Sequence, residues 1–149
     1  MHVPPVNWLA VLVAGIVIFV LGGLWYSPIL FSKKWLALQN KTEEQMRAEA
    51  AGANMPLMYG SAFITGLITA WVLALILGHV STARMAHAGT EISAVHGALF
   101  GFVCWLGFAA TTSYATALFS GKPRQLWFID SAYNLVSFVL AGIILAVWR

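Results

Sequence analysis

Charged residues are scarce in this chain. Only 9% of its 149 residues are Asp, Glu, Lys or Arg, whereas about 25% is usual for a soluble domain. Hydrophobic residues make up 60% of the sequence, so a soluble globule would have too little charge to keep its surface hydrated. The composition excludes an ordinary soluble domain and indicates an integral membrane protein.

Cysteine is nearly absent as well, since Cys104 is the only one. A single thiol excludes an internal disulfide, a Cys-x-x-Cys redox pair and a thiolate-rich zinc site. The formal net charge of +3 is small and lies between the apolar segments, so we expect no nucleic-acid partner. The sequence also lacks a P-loop, a zinc-protease motif and a nucleophile elbow, so we expect neither enzyme activity nor a cofactor.

Long stretches of the sequence carry no charge. Residues 1–32, 50–83 and 92–121 contain no Asp, Glu, Lys or Arg, and residues 125–148 contain only Asp130. About 20 apolar residues suffice to cross the hydrocarbon core. The sequence therefore predicts an all-α polytopic membrane protein, built as one integral membrane domain over residues 1–149. The four predicted transmembrane helices are residues 7–26, 55–79, 93–119 and 126–148.

The N-terminal segment lacks the basic region and small-residue cleavage site of a secretory signal. We therefore expect it to remain as the first span. The orientation follows from positive charge, because Lys and Arg accumulate in short cytoplasmic loops. The loops after the first and third spans carry six basic residues, and the opposite side carries two. The six are Lys33, Lys34, Lys41, Arg47, Lys122 and Arg124, and the two are Arg84 and Arg149.

This charge count predicts that the long loop at residues 28–54 is cytoplasmic and that both termini lie outside. Tryptophans favour the membrane interfaces, and their positions agree with this orientation. Trp8 and Trp148 mark the predicted outer interface. Trp25, Trp35 and Trp127 mark the inner one.

The long loop contains a helix-start signal. Thr42 and Gln45 have the spacing of a capping box, which predicts a short helix at the inner membrane surface. A solvated connector is the alternative, because short helices are marginal in water. The sequence leaves both interpretations open.

A short motif occurs twice. Tyr26–Ser32 reads YSPILFS and Tyr114–Ser120 reads YATALFS, and both copies fall at the inner end of an odd-numbered span. One interpretation is a duplicated helical hairpin in parallel orientation. The other is convergence on a composition that suits the membrane interface.

Several motifs along nearly the whole chain resemble one known family. They are Asn7-Trp8, Gly22-Gly23-Leu24-Trp25-Tyr26-Ser27-Pro28, Phe31-Ser32-Lys33-Lys34-Trp35, Lys41-Thr42-Glu43-Glu44, Ile129-Asp130-Ser131-Ala132-Tyr133 and Gly142-Ile143-Ile144-Leu145. Together they resemble the bacterial membrane family known as domain of unknown function 1761. The chain departs from it at Asn40, where we expect a glycine. The resemblance implies a small four-helix protein of the bacterial inner membrane, and it implies no reaction, ligand or functional residue.

Asp130 is the only acidic residue within a predicted span. Asn134 and Ser137 follow at i+4 and i+7 and share its helix face. The predicted topology places six further residues at comparable depth, namely Trp25, Tyr26, Tyr59, Thr112, Thr116 and Tyr133. Polar groups in a span usually face the bundle interior or a water-filled cavity. Together these residues predict a polar vestibule around Asp130 on the cytoplasmic side.

The role of Asp130 has two interpretations. It can cap the last helix, or pair with Arg124 or Lys122, because a carboxylate near a helix N-terminus suits the helix dipole. Alternatively it can handle a proton, a cation or another ligand, as intramembrane acids commonly do.

Two histidines are the candidates for a metal or haem site. His79 ends the predicted second helix, and His96 lies about one turn into the third. Histidine is also comfortable at the membrane interface. The sequence favours interfacial packing over a metal site.

Small residues predict helix contacts. Gly66 and Gly78 belong to a ladder of small residues in the second span, and Gly97 and Gly101 form a Gly-xxx-Gly motif in the third. Such motifs let two backbones approach closely within lipid. The contact can lie within one chain or between copies.

Two classes of function fit these features. The first is a homo-oligomeric channel or a transporter of ions or small solutes. The alternative is a structural or accessory subunit of a larger membrane complex. The lipid bilayer is the one partner common to both. A stripe of Asp130, Asn134 and Ser137 that faces water favours the first class, and one that faces packed protein favours the second.

Overall fold

The structure is a computed structural model that describes residues 5–88 and 92–148, without the side chains of residues 82–88. Its described part is helical and contains no β-strand. The helices are α1 (Trp8–Trp25), α2 (Ser32–Leu38), α3 (Glu43–Gly52), α4 (Met55–Ala88), α5 (Ala94–Cys104), a π-helical segment (Trp105–Ala110), α6 (Thr111–Phe119) and α7 (Arg124–Val147). The predicted all-α fold class is confirmed.

Four helical stretches are long and apolar enough to cross a membrane. They are Trp8–Trp25, Met55–Ser81, Ala94–Phe119 and Arg124–Val147. The third combines α5, the π-helical segment and α6 without a break. Their bounds agree with the predicted spans to within two residues, so hydropathy located all four.

The fourth helix runs further than the sequence predicted. The second span was expected to end at His79, but α4 continues to Ala88. No glycine or proline occurs between these two residues, and such residues are the usual helix terminators. His79 therefore lies inside a helix rather than at its end.

Helix ends are set by local chemistry. The Asn7 side chain accepts hydrogen bonds from the backbone N–H groups of Leu9 at 3.0 Å and Ala10 at 3.2 Å, which caps α1. The turn before α7 contains Gly121 with a φ of 67°, a left-handed conformation that glycine adopts without steric cost.

The long loop contains two short helices where the sequence predicted one. The capping box is formed: the Gln45 N–H donates to Thr42 Oγ1 at 3.2 Å, and the Thr42 N–H donates to Gln45 Oε1 at 2.9 Å. Residues Glu43–Gly52 are therefore a helix rather than an irregular connector, and its position at the membrane surface stays a prediction. The unexpected helix is α2, whose Leu36 is buried at 3% exposure and which packs on α7.

The turn between α2 and α3 accounts for the departure from the family pattern. Asn40, which stands where we expected glycine, has a φ of 55°. Asparagine tolerates this left-handed conformation better than most residues. The substitution therefore keeps the turn that a glycine would make.

The last helix is the centre of the bundle. Helix α7 packs against α1, α4 and α5, and α1 also packs against α4. Alanines fill the tightest positions, since Ala14, Ala70 and Ala141 are all 0% exposed. Small side chains at these points let the helices approach closely.

Glycine sets the closest approach, which is between α5 and α7. A Cβ atom at Gly97 would overlap the carbonyl of Gly142, and one at Gly101 would overlap the carbonyl of Phe138. The contact therefore lies within one chain. In α4, Gly66 is buried against Ile18 of α1. The carbonyl of Gly78, also in α4, accepts a hydrogen bond from Ser81 Oγ at 2.8 Å.

The two copies of the repeated motif differ in structure. Residues 114–119 are helical, whereas residues 26–31 form a turn that leads into α2. Pro28 stands where the second copy has Thr116, and proline cannot continue a helix. In both hairpins the two spans adjacent in sequence do pack together. Duplication stays a hypothesis.

Candidate functional site

Asp130 lies in the second turn of α7, and residues from two other helical regions converge on it. Its Oδ1 atom accepts a hydrogen bond from the Tyr26 hydroxyl at 2.9 Å and another from Trp35 Nε1 at 3.0 Å. Tyr26 directly follows α1, and Trp35 belongs to α2. One carboxylate oxygen thus joins three helices.

The chain reaches this arrangement because it turns sharply after α1. Pro28 prevents the helix from continuing, and the backbone N–H of Ser32 donates to the carbonyl of Ser27 at 3.2 Å within the turn. Ser32 and Leu36 are buried. Burial of this face docks α2 and presents Trp35 to Asp130.

The two rings that bond to the carboxylate pack against further aromatic rings, and we call the whole set the Asp130 cluster. Its members are Asp130, Trp25, Tyr26, Phe31, Trp35 and Tyr133. The ring of Tyr26 lies 5.5 Å from that of Trp35 and 5.7 Å from that of Tyr133, centroid to centroid. Trp25 lies 6.4 Å from Tyr133 and 4.9 Å from Phe31. These separations are typical of favourable aromatic pairs.

Two ring donors of the cluster bond to backbone instead of to Asp130. Trp25 Nε1 donates to the carbonyl of Ile129 at 3.1 Å, and the Tyr133 hydroxyl donates to the carbonyl of Ile18 at 3.2 Å. These bonds tie α1 to α7 in both directions. The cluster is consequently fixed on the same helices that form the core.

The charge of Asp130 has no counter-charge among the described residues. Both of its hydrogen-bond donors are neutral, and the one ion pair in the described part of the chain joins Lys41 to Glu49 at 2.7 Å. The hydrogen bonds to the Asp130 side chain both end on Oδ1, so the second carboxylate oxygen, Oδ2, accepts none from the described residues, and the residue is half-buried rather than enclosed. Asp130 therefore keeps one carboxylate oxygen that has no protein donor.

Asp130 does not cap its helix. The N-cap of α7 is Pro123, which makes no side-chain capping bond, and the first turn of α7 contains no acidic residue. Neither Lys122 nor Arg124 forms an ion pair with Asp130 in the described structure. The interpretation as a cap or as half of a local ion pair is wrong, because the carboxylate turns toward α1 and α2.

The other predicted polar residues differ in their surroundings. Tyr26 and Tyr133 lie in the Asp130 cluster, and Asn134 Nδ2 donates to the carbonyl of Asp130 at 3.1 Å. Ser137 lies about two turns further along α7 and is only 2% exposed. Its hydroxyl has no hydrogen-bond partner within the described residues. The predicted stripe therefore passes from a half-buried carboxylate into packed protein.

Trp35 and Phe31 are the members of the Asp130 cluster that sequence reasoning missed. Trp35 was interpreted only as a marker of the membrane interface and Phe31 only as part of a family motif, whereas Trp25 was expected at the depth of Asp130. A signal for Trp35 was present. Ser32, Trp35 and Leu36 have the i, i+3, i+4 spacing of a helix face that packs against another part of the protein. The sequence alone does not predict which helix that face contacts.

A second polar contact joins α6 to α7. Trp127 Nε1 donates to Ser113 Oγ at 3.0 Å, and the ring of Trp127 lies 4.8 Å from that of Tyr114. In addition, Trp105 Nε1 donates to the carbonyl of Ser131 at 3.0 Å. These groups are neutral and satisfy one another, so this contact serves packing.

The two candidate metal ligands bond within their own helices. His96 Nδ1 accepts from the backbone N–H of Ser93 at 3.2 Å, at the start of α5. His79 Nδ1 lies 2.8 Å from the carbonyl of Leu75. The described residues contain no group of three or more His, Cys, Asp or Glu side chains that could hold a metal ion.

At the other end of the bundle, a groove of about 380 Å³ lies between α1 and α4. Apolar and aromatic side chains line it. They are Trp8, Val11, Leu12, Leu67, Ile68 and Trp71. The groove offers no carboxylate, amide or hydroxyl, so it suits hydrocarbon rather than a hydrophilic ligand.

Comparison with known proteins supports the family resemblance. The chain matches the family described as "Protein of unknown function (DUF1761)" over residues 9–146. The chain belongs to this family. The match includes every member of the Asp130 cluster in this DUF1761 protein. No curated protein and no solved structure matches the chain, so its function must be inferred from the geometry of the site.

Proposed function

We propose that this DUF1761 protein binds a small cation at Asp130 and takes part in moving it across the membrane, as a channel or as a transporter of ions or small solutes. One observation carries the proposal. Asp130 is half-buried, and its Oδ2 atom has neither a protein donor nor an ion-pair partner among the described residues.

The electrostatic argument is direct. A carboxylate near the hydrocarbon region is costly unless it is paired or hydrated, and such groups commonly mark ion or substrate pathways. The Tyr26 and Trp35 donors stabilise the anion at Oδ1, but they add no positive charge. A cation at Oδ2 would supply the missing charge without displacing either donor.

A complete pathway would require more than one chain. Beyond Asp130, the same face of α7 continues through Ser137 at 2% exposure and Ala141 at 0%. Four helices that pack this closely leave no hydrophilic route along that face. We therefore propose a homo-oligomer, in which the open side of the Asp130 cluster contributes to a path between copies.

An accessory subunit of a larger membrane complex is the second candidate. The burial of Ser137 favours it. In a subunit of this kind, the stripe of Asp130, Asn134 and Ser137 is expected to face packed protein rather than water. In that case Asp130 would serve chiefly to dock α2 on α7.

We also propose the orientation given by the charge count, in a bacterial inner membrane. Helices α2 and α3 would be cytoplasmic, and both termini would lie outside. A reporter domain fused after the C-terminal residue should show activity typical of the outer side. A reporter in the turn between α6 and α7 should show cytoplasmic activity. The reverse pattern would contradict the orientation.

The transport proposal is tested with the full chain purified and reconstituted into vesicles. Uptake of protons, alkali cations and methylammonium is measured for the native protein and for Asp130→Asn. Because the substitution removes the charge but keeps the shape, we expect normal folding and a loss of uptake of about tenfold or more, equivalent to about 1.4 kcal/mol.

Glu49→Gln is the matched control. Glu49 is also a carboxylate with a side-chain partner, Lys41, but it is well exposed on α3. It should leave uptake unchanged. If native protein moves none of these cations faster than empty vesicles, the transport proposal is wrong. The accessory-subunit candidate then replaces it.

A further inference from the structure

We infer that the cation recognised at Asp130 is an organic ammonium ion, held by Oδ2 and by the faces of the aromatic rings in the Asp130 cluster. The inference rests on the proposed function and deepens it by naming the chemical class of the ligand. It is carried by the composition of the cluster, which has one carboxylate and five aromatic residues.

The donor set does not suit a metal ion. Ca²⁺ takes six to eight oxygen ligands and Mg²⁺ requires a near-octahedral set, whereas the cluster contributes a single carboxylate. The groups nearest to it, Tyr26 and Trp35, point hydrogen atoms toward the carboxylate and not lone pairs toward a ligand. No group of three potential metal-ligating side chains of the His, Cys, Asp or Glu type was found in the described structure.

The rings do suit an organic cation. Ammonium groups bind the faces of Trp and Tyr rings at distances up to about 6 Å. Trp25, Tyr26, Trp35 and Tyr133 are all half-buried, so each keeps part of its surface uncovered. Weakly hydrated alkylammonium ions lose little hydration free energy in such surroundings, whereas small inorganic ions lose much more.

The hydrogen bonds of the cluster hold the rings in place before any ligand arrives. Trp25 and Tyr133 are each fixed to a backbone carbonyl, and Tyr26 and Trp35 are fixed to Oδ1. Binding would therefore order few side chains, and this lowers its entropic cost. Oδ2 remains as the acceptor or counter-charge for the ammonium group.

The test measures binding of tetraethylammonium to the full chain in detergent by equilibrium dialysis. Two substitutions at one position separate the ring from its N–H group. Trp35→Phe removes the donor but keeps an aromatic face, so affinity should stay within about threefold of the native value. Trp35→Leu removes the face as well, and affinity should fall by about threefold to thirtyfold relative to Trp35→Phe.

Trp127→Leu is the control, because its ring packs on Tyr114 outside the cluster, and it should bind like the native protein. Asp130→Asn should lose binding. Tetraethylammonium binding that survives Asp130→Asn, or that is equal in Trp35→Phe and Trp35→Leu, would overturn the inference.

The vesicle experiment separates this inference from the proposed function. If uptake of protons or alkali cations depends on Asp130 but tetraethylammonium does not bind, the ligand class is wrong and cation handling stands. If neither uptake nor binding depends on Asp130, both proposals fall.

Discussion

Replacing Gly101 with leucine should destabilise the whole helix bundle. A Cβ atom at this position would overlap the carbonyl of Phe138 and come within 2.9 Å of the Cα of Val139. These are backbone atoms, so no side-chain rotation relieves the overlap, and α5 must separate from α7. Overpacking costs about 1–3 kcal/mol when side chains can adjust, and we expect about 3 kcal/mol or more here.

The measurement is the free energy of unfolding in detergent, or the melting temperature, against a matched glycine in the same span. A Cβ atom at Gly107 meets nothing within 4 Å, so Gly107→Leu should change stability only slightly. Equal stability of the Gly101→Leu and Gly107→Leu variants would contradict the close contact between α5 and α7.

Replacing Asp130 with alanine should release α2 from the bundle. The change removes the acceptor of both the Tyr26 and the Trp35 hydrogen bonds, and hydrogen bonds to charged groups are each worth about 1.5–3 kcal/mol. Because α2 has few other partners, we expect this loss to appear as local opening of α2. Hydrogen exchange of its backbone amides should accelerate by about tenfold or more, equivalent to about 1.4 kcal/mol.

The Asp130→Asn variant separates the loss of charge from the loss of the hydrogen-bond acceptor. The amide oxygen can still accept from Tyr26 and Trp35, although without the negative charge, so exchange in α2 should lie between that of the native protein and that of the alanine variant. Helix α3 makes its own capping box and should exchange alike in all three proteins. Unchanged exchange of α2 in Asp130→Ala would show that the carboxylate does not dock this helix.

The membrane-spanning helices could be predicted from sequence because their signal is local. Runs without charge fix where a chain can cross a bilayer, and the capping box of Thr42 and Gln45 fixed the start of α3. Helix α2 could not be predicted in this way. It is short, and it is stabilised by burial of Leu36 and by the bond from Trp35 to a residue far away in sequence.

The site was predictable in part for the same reason. Depth in the membrane placed Tyr26 and Tyr133 beside Asp130, because distance from a helix end is a local property. The surroundings of Ser137 depend on which helices cover α7. Periodicity puts Ser137 on the face of Asp130, but Ser137 is covered by the helices that pack on α7 and is 2% exposed, whereas Asp130 lies near the helix end and is only half-buried.

The central claim is that Asp130 is an accessible carboxylate that accepts a cation, and labelling with a hydrophobic carbodiimide tests it most directly. The reagent adds to a protonated carboxyl group and leaves a stable acylurea, which mass spectrometry of the intact chain and its peptides detects. We predict one adduct at Asp130, none there in Asp130→Asn, and slower labelling as tetraethylammonium, methylammonium or sodium is added. An Asp130 that reacts at the same rate with and without every one of these cations would contradict the account.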